Sequence, residues 1–263
     1  TRPTNALGLA YFSAWAQLKR YADMIVVIGF IGVALSYILG LNQYKKLLVP
    51  IIITALLINF SGLFVGLVID ATNILMLDFL GNTQVNNFAI DMINDMNAAW
   101  ETARTAEIVS APESARGLTY FAGEITKQAS FIMMSYAFAT MYVFMAITFL
   151  SLALIFIVRY INLVIAFIFA PIAIALRAFP FPAAQKVFDS WLQRFLKWAF
   201  MGIIITFFLN IAVKTLGAVK GLLTSDVFQQ AGIVGRVFSL QFLFTVVICF
   251  LWMGMIAAYK AAK

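Results

Sequence analysis

Histidine is absent from the 263-residue sequence, and cysteine occurs once, as Cys249 inside an apolar run. Without histidine the usual His/Cys zinc sites, Ser-His pairs and Cys-His pairs are excluded, and a lone cysteine cannot form an intramolecular disulfide. Charged residues are also scarce, at 11% of the sequence, against about 25% in soluble domains. These absences remove most common enzyme chemistry. We expect no metal site and no cofactor, and we do not expect a protein surrounded by water.

Hydrophobic residues make up 63% of the sequence, against about 45–50% in soluble domains. They are concentrated in runs long enough for a helix to cross a bilayer core, which takes about 20 residues. The 18 Lys and Arg residues are scattered between these runs and leave a net charge of +7, so they orient helices rather than bind nucleic acid. The pattern predicts an all-α, polytopic transmembrane helical bundle of about five spans, with a re-entrant or broken helix and amphipathic interfacial helices.

The first two membrane spans are predicted within residues 24–80. Residues 1–23 precede them as a helix that lies in the membrane interface. Apolar residues including Trp15 recur there at helical spacing, and Lys19 and Arg20 take the opposite face.

Residues 81–130 form a long polar stretch that carries more acidic than basic residues, and we expect it to be an external helical region. Within it Met92, Met96 and Trp100 fall on one face of a helix whose other face includes Asp91. Because such an apolar face needs a cover, we expect it to dock on a partner or on other copies of the chain.

Residues 131–182 contain an apolar run that is too long for one crossing and is interrupted by Arg159. Because arginine at a bilayer centre costs about 2.5–3.5 kcal/mol, we expect Arg159 at a turn on the interface. The third span then precedes Arg159, and residues 160–176 form a re-entrant or broken helix interrupted at Pro171. Six spans with an ordinary kink at Pro171 are the alternative.

Residues 183–197 have the pattern of an amphipathic helix on the cytoplasmic face of the membrane. Trp191 and Phe195 lie on its apolar face, whereas Arg194 and Lys197 lie on its basic face. These four residues are expected to anchor the helix at an anionic membrane surface.

The orientation follows from the enrichment of lysine and arginine in cytoplasmic loops. Lys45, Lys46 and the basic loop from 177 to 197 are expected inside. This places the N-terminus and residues 81–130 outside and the C-terminus in the cytoplasm. Residues 198–263 complete the chain with the last two spans and a basic tail.

Polar and small residues of the second span fall on one helix face, here named the polar stripe: Asn59, Gly62, Gly66, Asp70 and Asn73. The two glycines are four apart and allow another helix to approach closely. Asn59 is either an interhelical hydrogen-bonding group or pore lining, and Asp70 and Asn73 either line the mouth of a conduit or simply meet water. We predict that the polar stripe faces protein, as a neighbouring helix or a lumen, and not lipid.

Two groups of residues resemble a known family: Leu57 to Ser61 with Val68 to Met76, and Arg159 with Ala170, Pro171, Ile172, Ala173, Pro180 and Trp191. They are similar to the TrbL-like polytopic inner-membrane channel component of type IV secretion and conjugation systems, as found in small-genome bacterial lineages, over about residues 20–215. The resemblance implies about five spans, an external N-terminus, a large periplasmic region after the second span and a contribution to a substrate channel. It implies no catalytic residues, because separate ATPase subunits supply the energy.

The leading prediction is a channel-forming or scaffold subunit of a multiprotein secretion or conjugation machine in the bacterial inner membrane. Its expected partners are the lipid bilayer, other secretion-system subunits, further copies of the chain and, transiently, the transported DNA or protein. A small-solute membrane transporter is the alternative, although neither inverted repeats nor a charged midplane site is visible in the sequence. A membrane enzyme is a third class, which no compact carboxylate motif supports.

Overall fold

The computed structural model describes residues 6–40, 46–81, 90–98, 100–101, 118–223 and 233–262. The long helices in these ranges are α1 (Ala6–Ile38), α2 (Leu48–Leu80), α3 (Leu118–Arg177), α4 (Pro182–Leu223) and α5 (Ile233–Ala262). Residues 90–98 are helical as well, and no strand occurs in the described ranges. The all-α prediction is confirmed.

Five stretches of the described helices are long and apolar enough to cross a membrane: Gly8–Ile38, Leu48–Leu80, Phe131–Arg177, Pro182–Thr215 and Gln241–Ala261. Many of their large apolar side chains are exposed, for example Ile28 at 64% and Leu63 at 68%. Exposure on this scale is unfavourable in water and suits contact with lipid or with other protein chains. The prediction of a polytopic membrane protein with about five spans is confirmed.

Glycines in the left-handed region end the first two helices. Gly40 has a φ of +70° and Gly81 a φ of +61°, which a residue with a Cβ adopts only at a cost. The Gly81 N–H donates to the carbonyls of Leu77 at 3.1 Å and Asp78 at 3.0 Å. These bonds satisfy carbonyls that a helix end otherwise leaves without donors.

α1 runs without a break through the expected boundary at residues 23 and 24, so the interfacial helix and the first span are one helix. Neither glycine nor proline occurs near this boundary. Ala22 is fully buried, and Lys19 pairs with Asp23 one turn later, with 3.6 Å between Nζ and Oδ2. Local helix propensity and this i,i+4 pair continue the helix where the change of polarity indicated a boundary.

The turn expected at Arg159 is absent, and so is the separate re-entrant or broken helix. α3 continues through Arg159 and Pro171 to Arg177. Arg159 does not need the interface, because acceptors within the protein satisfy its guanidinium. Pro171 is buried and lies close to the end of α3, where the loss of one backbone hydrogen bond has only a local effect.

Residues 183–197 likewise do not form a separate helix. They are the beginning of α4, which continues directly into the fourth apolar stretch. Pro182 is the first residue of α4, where its missing N–H costs nothing.

The chain divides into two compact units, and α2, α3, α4 and α5 each contribute residues to both. The first unit comprises Thr1–Leu75, Phe156–Ile203 and Lys260–Lys263, and the second comprises Met76–Ile155 and Ile204–Tyr259.

The core of the first unit contains two clusters, and small side chains are frequent in both. One joins α1, α2 and the end of α3 through Ala22, Val26, Val33, Ile51, Ile58, Ile174, Ala175 and Ala178. The other joins α2, α3 and α4 through Val65, Leu163, Ala166, Ala170, Phe195 and Ala199. Alanines let helix backbones approach closely, which matters in lipid because packing rather than water exclusion holds the helices together.

The second unit is held by close contacts between its own helices. A Cβ placed on Gly254 of α5 would lie only 2.6 Å from the Cβ of Phe208 of α4, so glycine is required there for the observed approach. The Trp252 Nε1–H donates to the Thr148 hydroxyl at 3.0 Å. The Asn210 amide donates to the Phe79 carbonyl at the end of α2.

Candidate functional site

The polar stripe lines a groove of about 890 Å³ in the first unit. This surface, here named the stripe groove, is formed by α1, α2 and α3. All five stripe residues belong to its lining, together with residues that include Tyr11, Trp15, Arg159, Tyr160 and Phe167. The helical spacing that the sequence showed therefore corresponds to one continuous surface.

The two glycines of the stripe have different surroundings. A Cβ on Gly62 would lie 3.1 Å from ring atoms of Trp15, so α1 packs tightly against α2 at this level. No described atom lies within 4 Å of the position that a Cβ on Gly66 would occupy. Gly62 thus serves packing within the chain, whereas Gly66 lies open in the groove.

Trp15 closes the groove over Gly62. Its Nε1–H donates to the Ser61 hydroxyl at 3.3 Å, and its ring contacts Phe12 and Phe167 with centroid separations of 5.3 and 6.2 Å. The sequence placed Trp15 on an interfacial helix. The structure instead gives it a role in joining α1, α2 and α3.

Arg159 is the buried charge of this site, with only 7% of its surface exposed. Its Nη2 donates to Asn73 Oδ1 and to the Ala199 carbonyl, both at 3.3 Å. Its Nε donates to the Trp198 carbonyl at 3.3 Å. One guanidinium therefore joins α2, α3 and α4, and acceptors within the protein bind three of its five N–H groups.

The remaining polar groups of the groove have local partners or are exposed. The Asn59 amide donates to the Ala55 carbonyl of its own helix at 3.0 Å, and Asp70 is exposed. The hydroxyls of Tyr160 and Tyr11 are 3.3 Å apart. Within the described part of the chain no group of three or more His, Cys, Asp and Glu side chains could hold a metal ion. Amide, carboxylate and hydroxyl groups are thus available on the surface of the stripe groove.

Comparison with known families decides the class of the protein. A model of the TrbL/VirB6 plasmid conjugal transfer like protein family matches residues 107–263, more than half of the chain. The chain belongs to this family. It is therefore a multi-pass membrane component of conjugal transfer or type IV secretion systems, as the resemblance indicated. No curated protein and no solved structure matches the chain.

The family match covers only part of the candidate site. Arg159, Pro171 and Trp191, which contributed to the resemblance, lie inside the matched residues, whereas residues 57–76 lie outside them. The polar stripe thus depends on the geometry of this chain and not on the family match.

The four expected interfacial anchors are divided between the core and the surface. Phe195 is 1% exposed and belongs to the core of the first unit. Trp191 stacks on Phe195 at 5.8 Å, and its Nε1–H donates to the Ala166 carbonyl at 3.1 Å. Arg194 and Lys197 are exposed. The aromatic pair therefore packs on α3, which supplies apolar surface that the membrane was expected to provide.

The Met and Trp face of the acidic segment is covered within the chain. Met92 is 0% exposed and Met96 1%, and Trp100 packs on Phe138 of α3 with 5.2 Å between ring centroids. Tyr142 of α3 donates to Asn97 Oδ1 at 2.5 Å. Docking on a partner is thus not needed to cover this face. Of the rest of the acidic region, residues 82–89, 99 and 102–117 lie outside the described residues, and residues 118–130 are the beginning of α3.

Proposed function

We propose that the protein is a channel-forming or scaffold subunit of a conjugation machine in the bacterial inner membrane. Several copies assemble to line or support the substrate conduit, and the protein has no catalytic role. The N-terminus and residues 81–130 lie outside, and the C-terminus is cytoplasmic. Its partners are other secretion-system subunits and, transiently, the transported DNA or protein.

The family match supports the assignment to conjugation and gives no support to a small-solute transporter. The stripe groove supports the structural role. Asn59, Asp70 and Asn73 are exposed in it, and polar groups of this kind are costly against acyl chains. We therefore expect the groove to face protein or a water-filled passage.

Oligomerisation follows from the number of spans. Packed helices lie about 8–10 Å apart, and their side chains fill the space between them. A chain with five candidate spans is therefore too small to enclose a passage for a polymer. Several copies arranged with closed rotational symmetry enclose one without leaving an open edge.

Gly66 offers the sharpest test of this proposal. Outside the backbone of its own helix, no described atom lies within 4 Å of its Cβ position, so a larger side chain can project into the open groove of the isolated chain. Loss of a mid-helix glycine also favours the helix by roughly 1 kcal/mol. We expect Gly66→Leu to insert and fold normally but to lose its assembled form, because leucine occupies the space that a neighbouring chain needs. Chemical cross-linking in membranes and size-exclusion chromatography in mild detergent measure this loss.

Gly32→Leu is the matched control. Gly32 lies on α1 outside the stripe groove, and no described atom is within 4 Å of its Cβ position either. Assembly that survives Gly66→Leu, or that is lost equally in Gly32→Leu, contradicts the role of the groove. Purification of wild type as an active monomer contradicts the oligomer itself. Separately, failure to co-purify with other conjugation subunits contradicts the assignment to the machine.

A further inference from the structure

A second groove lies in the first unit between the end of α3 and the beginning of α4. It has a volume of about 710 Å³ and is here named the hairpin groove, lined by α3 residues between Asn162 and Leu176 and α4 residues between Ala183 and Trp198. It shares no lining residue with the stripe groove. Its function is therefore a separate question from that of the conduit.

The walls of the hairpin groove are apolar and partly open. Ile165, Phe169 and Val187 line it and are 49%, 49% and 50% exposed. The apolar residues on the α3 side extend from Ile165 to Leu176, which is about 16 Å along a helix. One leaflet of a bilayer core is about 15 Å thick, so the groove matches the length of an acyl chain.

One edge of the groove is basic. Lys186, Ser190 and Arg194 line it and follow each other at four-residue steps along α4. They therefore form a row about 12 Å long on one helix face. The described lining contains no carboxylate, and Asp189, the single acidic residue between Pro182 and Trp198, is not part of it. The edge thus combines two cations and a hydroxyl beside an apolar wall.

The aromatic wall of the groove is held in place. Trp191 is fixed by its hydrogen bond to the Ala166 carbonyl at 3.1 Å and by stacking on Phe195. A ligand therefore meets a preformed apolar surface and does not have to order it, which lowers the entropic cost of binding.

We infer that the hairpin groove binds an anionic phospholipid, with an acyl chain against the apolar wall and the phosphate at Lys186, Ser190 and Arg194. Basic pockets between membrane helices bind anionic head groups by this combination of charge and apolar contact. A zwitterionic lipid offers the same acyl chain but adds a cation that the basic edge disfavours. The inference does not depend on the conduit.

Quenching of tryptophan fluorescence by brominated acyl chains reports on this site through Trp191 and Trp198, which line it. The variants described below separate this contribution from that of the other three tryptophans. Purified full-length protein is titrated with brominated phosphatidylglycerol or brominated phosphatidylcholine in mixed micelles. We expect phosphatidylglycerol to quench with about tenfold higher affinity, given the contribution of two basic residues near an anionic group. Equal affinity for the two lipids overturns the inference.

Variants separate this site from general surface charge. The double variant Lys186→Gln/Arg194→Gln should bind the two lipids with affinities within about twofold of each other. Lys214→Gln/Lys260→Gln is the charge-matched control, because it changes residues outside the groove. It should keep the preference for phosphatidylglycerol. Equal loss in both double variants overturns the inference.

Two further measurements guard against misfolding and against binding of the head group alone. Lys186→Arg/Arg194→Lys keeps both charges and should retain the preference for phosphatidylglycerol. Loss of that preference in this variant contradicts the role of charge. Soluble glycerol phosphate at millimolar concentration should not displace the brominated lipid. If it does, the site recognises a phosphate and not a lipid.

Discussion

Asn73 supplies one of the three acceptors of the Arg159 guanidinium, and its replacement by alanine removes a contact between α2 and α3. The bond from Nη2 to Asn73 Oδ1 is 3.3 Å, slightly longer than the usual range of about 2.7–3.2 Å. Hydrogen bonds to charged groups contribute about 1.5–3 kcal/mol in soluble proteins, and interhelical bonds in membranes about 0.6 kcal/mol on average. We expect about 1 kcal/mol for this pair, or a factor of roughly five in the unfolding equilibrium.

A double-mutant cycle is needed to measure this energy. Arg159→Met alone removes three hydrogen bonds but also removes the cost of burying a cation, so its net effect has no fixed sign. The cycle of Asn73→Ala, Arg159→Met and the double variant isolates the energy of the pair. Reversible unfolding by sodium dodecyl sulfate in mixed micelles, followed by tryptophan fluorescence, provides the four free energies.

Asn59→Ala combined with Arg159→Met is the matched control cycle. Asn59 lies on the same helix and in the same groove, but its amide bonds to its own backbone at Ala55. Effects of residues that do not interact add within about 0.3–0.5 kcal/mol. A coupling of Asn73 with Arg159 inside that range, or no larger than the coupling of Asn59, refutes the proposed link between the helices.

Two more predictions concern the topology and the second unit. In a cysteine-free background, Ser114→Cys should react with an impermeant maleimide added from outside, whereas Lys186→Cys should not, and the reverse pattern contradicts the proposed orientation. Gly254→Ala places a methyl group 2.6 Å from the Cβ of Phe208 and should destabilise the protein by about 1–3 kcal/mol through overpacking. Thermal unfolding by circular dichroism measures this loss, and a gain in stability contradicts the observed close approach of α4 and α5.

The class of the protein could be predicted because it depends on local composition. A run of about 20 apolar residues must satisfy its own backbone hydrogen bonds in lipid, which favours a helix whatever its neighbours are. The polar stripe was also visible, because residues at three- and four-residue steps share a helix face in any environment. The structure places all five stripe residues in one groove.

The partners of these faces could not be predicted, because they come from distant parts of the chain. Trp15, which packs over Gly62, approaches α2 from another helix, and Tyr142 reaches Asn97 across 45 positions. The apolar faces around Phe195 and Met96 were recognised correctly as faces that need a cover. Whether lipid, a partner or the same chain covers them depends on tertiary packing.

Arg159 shows most clearly where local reasoning ends. Burying its guanidinium in a membrane is costly on an isolated helix, so the sequence predicts a turn at the interface. The acceptors that satisfy it lie 39, 40 and 86 positions away in the sequence. Sequence by itself determined that a cation inside a long apolar run must find compensation. Only the tertiary structure decided that α2 and α4 provide it, because hydrogen bonds from a guanidinium require acceptors placed in space and not along the chain.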